Sequence, residues 1–335
     1  MKVSVDGGSL CASKNRQYGN YRFSYDLLTS LSKFDNHNSY NIYTFCNQLP
    51  ELNEDRFKLR QITPPWGFMP YRVGIAEITK KSDIFLALNQ SIPIFTKGKV
   101  VAFSHGLAFY YFSKLYSEAI AMLNNQLKAM LRKADLIIVS SSKVKKEFNE
   151  IAPDFRNVVV IPFGISQDLL TIDKKRQKDK FLMYVGMDHP IKQIDLIVII
   201  FLSAKRKTNR NDWKLLLVGV SKKYENKDLS IFVEPFLERD QLIKLYQKTS
   251  GLITSSLYES FNLPVLEALC CGAPVVGLKS AVIPELQKYV IVAKNSEEFE
   301  SKICLLMTNS LPPKPKINKK LFSWENYVKK LTSLY

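Results

Sequence analysis

Glu259 and Glu267 stand eight positions apart in Glu259-Ser-Phe-Asn-Leu-Pro-Val-Leu-Glu267, so that two carboxylates bracket a short loop that opens a helix. Before them, Gly251-Leu-Ile-Thr-Ser-Ser256 is an apolar, β-prone run, and Pro264 suits a first helical turn because its missing N–H would be unpaired there anyway. Gly272, after Cys271, closes that helix, and Ala273-Pro-Val-Val-Gly-Leu278 reads as the next buried strand. The unit is strand, loop, helix, strand, a βαβ crossover with Glu259 expected beyond a strand's carboxyl end and Glu267 in the first turn of the helix. In open parallel sheets ligands bind in that crevice, and a helix N-terminus attracts phosphate. The arrangement therefore suits gripping a sugar nucleotide. A first-turn acid also interacts favourably with the helix dipole, which would account for Glu267 without a ligand but leaves Glu259 unexplained.

The elements that must position this loop alternate along the whole chain. Strands are expected at Lys2–Val5, Tyr40–Phe45, Asp83–Leu88, Lys99–Phe103, Leu136–Ser140 and Val158–Ile161 in the first half. In the second half they are expected at Phe181–Val185, Lys214–Val218, Ile231–Glu234, Leu252–Ser255, Pro274–Gly277 and Val290–Val292. Strands separated by helical segments argue an α/β class with parallel sheets. Asp173-Lys-Lys-Arg-Gln-Lys-Asp-Lys180 has no apolar residue and reads as an exposed linker. Leu311-Pro-Pro-Lys-Pro-Lys316 cannot continue a helix, and the pattern from Phe322 to Leu334 suits one final amphipathic helix. The expected division is a first domain over 1–168, a linker over 169–180, a second domain over 181–312 and a C-terminal helix over 313–335.

The segment from Ile231 to Leu286 resembles the donor-binding half of the family 4 retaining glycosyltransferases (glycosyl transferases group 1), whose architecture is GT-B. The paired glutamates match the family's E-x7-E motif. Around them Leu242-Ile-Lys-Leu-Tyr246, Ser255-Ser-Leu-Tyr258, Leu263-Pro-Val-Leu-Glu-Ala268, Cys271-Gly-Ala-Pro-Val-Val276 and Pro284-Glu285 keep the family's order and spacing. Phe181-Leu-Met-Tyr-Val-Gly186 followed by His189-Pro-Ile-Lys192 is similar to the strand, glycine turn and lysine that contact the donor diphosphate. Val158-Val-Val-Ile-Pro-Phe-Gly-Ile165 and Ala134-Asp-Leu-Ile-Ile-Val-Ser-Ser141 resemble the last strands of the first domain. His105, in Val101-Ala-Phe-Ser-His105-Gly106, sits where the family places a histidine near the donor sugar. Tyr18-Gly19-Asn-Tyr-Arg22, with Tyr25-Asp-Leu-Leu28, is similar to the glycine-rich loop opening the first helix.

The resemblance implies two Rossmann-like parallel-sheet domains facing a central cleft, with the C-terminal helix, introduced by Ser323-Trp324, crossing back to the first. It implies transfer of a sugar, with retention, from a nucleotide diphosphate sugar to an acceptor hydroxyl in polysaccharide, glycolipid or glycoprotein glycan assembly. Glu267 would hold the ribose hydroxyls, Glu259 the donor sugar's hydroxyls, and Lys192 would neutralise charge on the departing diphosphate. His105 would hydrogen-bond the sugar, although a histidine after a strand is as readily a satisfied structural residue. Gly186 and the backbone of Ser260, Phe261, Asn262 and Leu263 would meet the donor phosphates, and Gly19 and Arg22 would belong to the acceptor-side loop. The chain departs from the family at Met187 and Ile191, at one or the other of which many relatives carry an arginine, at Asn262, where a second glycine is common, and at Tyr21, which replaces a loop glycine. Those departures keep a catalytically silent GT-B partner subunit open as the alternative. A sugar-nucleotide epimerase would share the architecture but not this motif set, and a nicotinamide-dependent oxidoreductase needs a G-x-G-x-x-G turn that is missing.

The 335 residues, 46% of them hydrophobic, suffice for two cores. No apolar run of about 18 residues occurs, and Met1 leads straight into strand-like sequence, so a cytoplasmic protein is expected, peripheral at most to a membrane's inner face. The five cysteines, Cys11, Cys46, Cys270, Cys271 and Cys304, show no zinc or disulfide spacing, and Cys270 and Cys271 are expected to pack as small apolar groups. No Asp-x-Asp pair is present to hold a divalent ion on a diphosphate, so a metal-independent reaction without a cofactor is expected. The net charge of +17 comes with no nucleic-acid-binding module. An anionic membrane face is its better partner, and the stretch from Tyr110 through Leu131-Arg-Lys133, a helix with aromatic and basic groups, is the candidate contact. A helix packed on the first domain's sheet with a solvated basic edge explains the same pattern.

Overall fold

The computed structural model describes residues 1–13, 19–47, 49–172 and 177–335. The chain forms two compact units, Met1–Gly164 with Lys320–Tyr335, and Ile165–Lys319. The sequence reading had placed the divisions after residue 168 and residue 312, and part of its linker, residues 173–176, lies outside the described residues.

The first unit is a seven-stranded parallel sheet, β1 (Lys2–Asp6), β2 (Ser39–Thr44), β3 (Phe57–Gln61), β4 (Ile84–Ala87), β5 (Lys99–Ser104), β6 (Leu136–Val139) and β7 (Val158–Val160), in the order 3-2-1-4-5-6-7. Its helices are α1 (Gly19–Phe34), α2 (Gly74–Lys80), α3 (Ala108–Tyr111), α4 (Ile120–Lys133) and α5 (Ser142–Ile151). Strands such as β4 and β6 are buried at every position, as a sheet covered on both faces requires. β3 is a correction to the reading of the sequence. Only Phe57 of this edge strand is buried, so Phe57-Lys-Leu-Arg-Gln61 carries no apolar run that could announce it.

The second unit contains α6 (Gln167–Leu170) and a six-stranded parallel sheet, β8 (Asp179–Val185), β9 (Lys214–Val218), β10 (Ile231–Glu234), β11 (Thr249–Thr254), β12 (Val275–Leu278) and β13 (Ile291–Ala293), in the order 10-9-8-11-12-13. Around it lie α7 (Ile194–Lys207), α8 (Arg239–Lys248), α9 (Leu263–Cys270) and α10 (Ser296–Met307). All strands of both sheets pair in parallel, as the alternation of the sequence predicts. The last helix, α11 (Trp324–Thr332), belongs to the first unit. It buries Trp324, Tyr327, Val328 and Leu331, with Trp324 and Tyr327 beside Phe23 of α1 at ring separations of 5.9 and 6.1 Å. Gly164 lies flat against the Trp324 indole, where a Cβ would collide.

A disulfide joins Cys11 to Cys46, which corrects the expectation that the cysteines show no pairing. Their separation of 35 positions carries no local signal, but Gly7 N–H donates to the Tyr43 carbonyl at 2.8 Å, so the turn after β1 lies beside the end of β2 and the two Cα atoms come within 5.6 Å. Cys270 and Cys271 are buried and free, as expected, and burial pushes both thiols up to about 12. α4 turns Leu127 and Met130 inward and leaves Lys128 and Arg132 exposed, which is the packed helix with a solvated basic edge. Among the described residues no helix is long and apolar enough to cross a membrane.

Candidate functional site

The strand order of the second sheet reverses at β8, whose two neighbours are β9 and β11. At such a switch point the connections from adjacent strands leave in opposite directions and open a crevice at the carboxyl ends. The residues singled out by spacing follow β8 and β11. Gly186 succeeds Val185, with its N–H on the Val218 carbonyl at 3.0 Å, and its missing side chain matters because a Cβ would strike the Tyr184 hydroxyl. Burial, reinforced by the negative charge of Glu259 and Asp188, holds that phenol well above its ordinary pKa, so it stays protonated. The chain then makes a short turn, Pro190–Lys192, begun by His189, whose Nδ1 accepts from Ile191 N–H at 3.2 Å. Ser255 Oγ holds the turn's end by donating to the carbonyls of Lys192 and Gln193 at 2.9 and 3.1 Å.

Lys192 Nζ stands 2.6 Å from Glu259 Oε1, and Ser256 Oγ donates to the same oxygen at 2.7 Å. Their side chains are 19% and 12% exposed, so the pair is mostly shielded from water. Two residues that the sequence assigns to chemistry are thereby brought into contact.

Glu267 has different company. Arg239 Nη1 meets its Oε1 at 2.6 Å, and the Tyr246 hydroxyl donates to Oε2 at 3.1 Å. Arg239 also donates through Nε to Asp168 at 2.9 Å and through Nη2 to Ser166 at 2.7 Å. Burial would favour loss of its proton, but the carboxylates of Glu267 and Asp168 outweigh burial and hold the guanidinium above its ordinary pKa. Tyr246, raised by burial and then by Glu267, likewise remains a donor. Glu267 is the fifth residue of α9, not a first-turn residue, so the dipole explanation loses its geometric footing. Arg239, Tyr246, Asp168 and Ser166 were not assigned roles from the sequence. Arg239 and Tyr246 share one face of α8 at a spacing of seven, a legible signal, whereas Asp168 is 71 positions from Arg239 and only the fold joins them.

The loop between the glutamates turns at Asn262, whose φ of 66° is left-handed. Asparagine tolerates that region better than most residues. Its Nδ2 donates to Thr254 Oγ1 at 3.3 Å and to the Ala281 carbonyl at 3.0 Å, so the side chain ties β11 to the segment after β12. Pro264 stands in the first turn of α9, and Gly272, at φ 74°, follows its end.

The remaining sequence candidates lie in the first unit. His105 follows β5, with Nε2 2.7 Å from the Leu88 carbonyl and its ring 5.1 Å from Phe23. Burial lowers its pKa to about 4 against the opposing hydrogen bond, so the ring is neutral at pH 7. With Nε2–H donating to Leu88, Nδ1 is the acceptor. Gly19 begins α1 with open space where a Cβ would stand, and Arg22 Nε pairs with Asp26 at 3.0 Å. Tyr18 of the same motif lies outside the described residues.

Residues 167–327, which contain this second-unit site apart from Ser166, match the family model of the glycosyl transferases group 1. This stretch is a glycosyl transferases group 1 domain. The chain is 24% identical over 165 residues to the MMP alpha-(1->4)-mannosyltransferase of Mycolicibacterium hassiacum, an alignment covering 45% of this chain and 38% of that protein. It is 23% identical over 183 residues to the N-acetyl-alpha-D-glucosaminyl L-malate synthase of Bacillus anthracis, covering 49% and 46%. The chain thus spans less than half the length of these curated relatives. Solved structures similar over the entire chain include the sucrose-phosphate synthase of Thermosynechococcus elongatus, at a TM-score of 0.70, 15% identity and 100% and 98% coverage. HepE of Anabaena, in complex with UDP and glucose, follows at 0.69, 13% identity and 100% and 99% coverage. The fold carrying the glycosyltransferase domain is GT-B, an α/β fold of two Rossmann-like parallel-sheet domains.

Proposed function

We propose that the protein transfers a sugar from a nucleotide diphosphate sugar to an acceptor hydroxyl with retention of anomeric configuration. The observation that carries this reading is the pair of glutamates at the sheet's switch point, each carboxylate held by its own cation, Glu259 by Lys192 and Glu267 by Arg239. A carboxylate so fixed keeps acceptor lone pairs for ligand hydroxyls and loses little orientation freedom on binding. In this reading Glu267 takes the ribose hydroxyls and Glu259 the donor sugar's hydroxyls. Lys192 moves from Glu259 toward the diphosphate as charge builds there, helped by the backbone from Ser260 to Leu263 and by the close approach that Gly186 permits. The bond from the anomeric carbon to the diphosphate oxygen breaks while the acceptor oxygen bonds that carbon on the same face. The acceptor's proton goes to the departing phosphate oxygen.

No divalent ion is required in this scheme, so activity is expected to survive chelation by EDTA. His105, neutral with Nδ1 as acceptor, is assigned to a donor-sugar hydroxyl, and Gly19 and Arg22 to the acceptor side. The relatives' printed mannosyltransferase activities support glycan assembly as the setting, with a glycan, lipid-linked or protein acceptor. A cytoplasmic location, peripheral to an anionic membrane, belongs to the same proposal. Met187 and Ile191, where an arginine was expected, favour the second reading, a silent GT-B partner subunit.

Calorimetric binding of UDP, GDP, ADP and TDP to the wild type and to Glu267→Ala separates the two. Micromolar binding of one nucleotide, abolished by the substitution, supports a donor site and names the base. Absence of binding to all four supports the silent subunit.

A further inference from the structure

The first unit carries an apolar surface that its own core leaves outside. Along the continuous helical stretch Phe68–Lys80, the residues Phe68, Met69 and Val73 are buried, whereas Tyr71, Ile75 and Ile78 are 57%, 62% and 42% exposed. These three recur every three to four positions and so share one side of the stretch. Ile94 and Phe95, 40% and 55% exposed, extend the same surface. Ile94 N–H donates to the Pro70 carbonyl at 2.8 Å, and a Cβ on Gly74 would stand 3.3 Å from the Phe95 nitrogen, so this loop lies directly on the start of α2. Ile78, Ile94, Phe95, Thr96, Lys97 and Lys133 line one shallow depression there.

The charged side chains that line it, Lys97 and Lys133, are both basic. Lys97 Nζ rests on the Ile78 carbonyl at 3.3 Å, and Lys133 Nζ on the carbonyls of Pro93 and Ile94 at 3.2 and 2.7 Å. Lys80 and Lys81 are exposed at the end of α2. The one acid in α2, Glu77, is fully buried and accepts hydrogen bonds from Ser4, Tyr43 and Ser82 on the core side. Asp83, the next acid along the chain, receives the Lys2 N–H at the start of β1.

We propose that this surface docks on an anionic lipid bilayer, with Ile75, Ile78, Ile94 and Phe95 entering the headgroup boundary and Lys80, Lys81, Lys97 and Lys133 meeting lipid phosphates. Apolar side chains with a basic rim complement such an interface, since each part meets the partner it prefers. A second copy fits worse, because a two-fold contact would set these lysines against their own images. The site shares only Lys133, the last residue of α4, with the segment expected from the sequence, whose helix exposes Lys128 and Arg132 but turns Leu127 and Met130 inward. It is independent of the donor-site reading.

The test is co-sedimentation of the full chain with vesicles of phosphatidylcholine alone or mixed with phosphatidylglycerol. The double variant Ile75→Ser/Phe95→Ser removes apolar reach without changing charge, and Met122→Ser on α4 is the control. Both should melt with the wild type, since the side chains are exposed. Binding to the mixed vesicles only, at least ten-fold weaker in the double variant and unchanged in the control, is the expected result. No binding to the mixed vesicles, equal loss in the control, or no loss in the double variant overturns it. So does sedimentation velocity showing a wild-type dimer that the double variant abolishes.

Discussion

Lys192 and Arg239 hold their glutamates in different ways, and the difference sets what each variant should do. Lys192 is a single ammonium on a flexible stem, able to leave Glu259 for an incoming phosphate, whereas Arg239 grips Glu267, Asp168 and Ser166 through three nitrogens at once. If Glu259 takes the donor sugar's hydroxyls as proposed, Glu259→Gln should bind nucleotide within a few-fold of wild type but lose about 100-fold in turnover, because a neutral amide accepts more weakly than a carboxylate and Lys192 loses its counter-charge. Isothermal calorimetry beside steady-state kinetics checks both halves. Arg239→Ala leaves two carboxylates without their cation in a pocket where the guanidinium was 23% exposed, and should cost about 2 kcal/mol of stability, with Lys recovering only part. Urea denaturation of the three proteins gives the order. His105 supplies a pH signature. Its folded-state pKa of about 4 lies below the ordinary 6.5, so the unfolded chain takes up the proton first as the pH falls. The stability that the neutral ring contributes is complete above pH 6.5 and is lost on the way down to pH 4. Denaturation at about pH 7 and about pH 4.5 should show the advantage of wild type over His105→Asn shrinking by about 2 kcal/mol. Asp6, pushed up to about 6 by burial, acts in the opposite direction, but it is common to both proteins and cancels in the difference.

At the scale of elements, β11, α9 and β12 form the unit that the alternation of apolar and turn residues announces, and Asn262 is its hinge pin. A glycine would keep the left-handed turn and lose the bonds to Thr254 and Ala281, whereas an alanine would lose both. Asn262→Gly should accordingly be more stable than Asn262→Ala by about 1 kcal/mol, with both below wild type, as read by chemical denaturation. What the sequence left hidden follows one physical pattern. Strands buried on both faces are apolar throughout and can be read from the chain, but β3 exposes most of its residues at the sheet edge and leaves no such trace. Glu259, Glu267 and Lys192 were legible because turn residues and a helix start surround them within a few positions. The Arg239–Asp168 pair and the Cys11–Cys46 disulfide were not, because each is made by strand order that brings distant segments together.

At the scale of the molecule, 48 basic against 31 acidic residues produce a field that the proposed nucleotide diphosphate ligand would feel before touching the site. The site itself is nearly balanced, since Lys192 faces Glu259 and Arg239 faces Glu267 and Asp168. Attraction from a distance should thus come from the rest of the surface, and it should act on encounter rather than on residence. Stopped-flow binding of a fluorescent nucleotide diphosphate between about 0.02 and 0.3 M salt, over which the screening length contracts from roughly 20 Å to 6 Å, should show the association rate falling by about ten-fold. The dissociation rate should change little over the same range if the nucleotide binds as proposed, because the Lys192 and Glu259 side chains that would hold it are mostly shielded from water. If dissociation carries most of the salt effect instead, the ligand is held by exposed lysines and not between the glutamates.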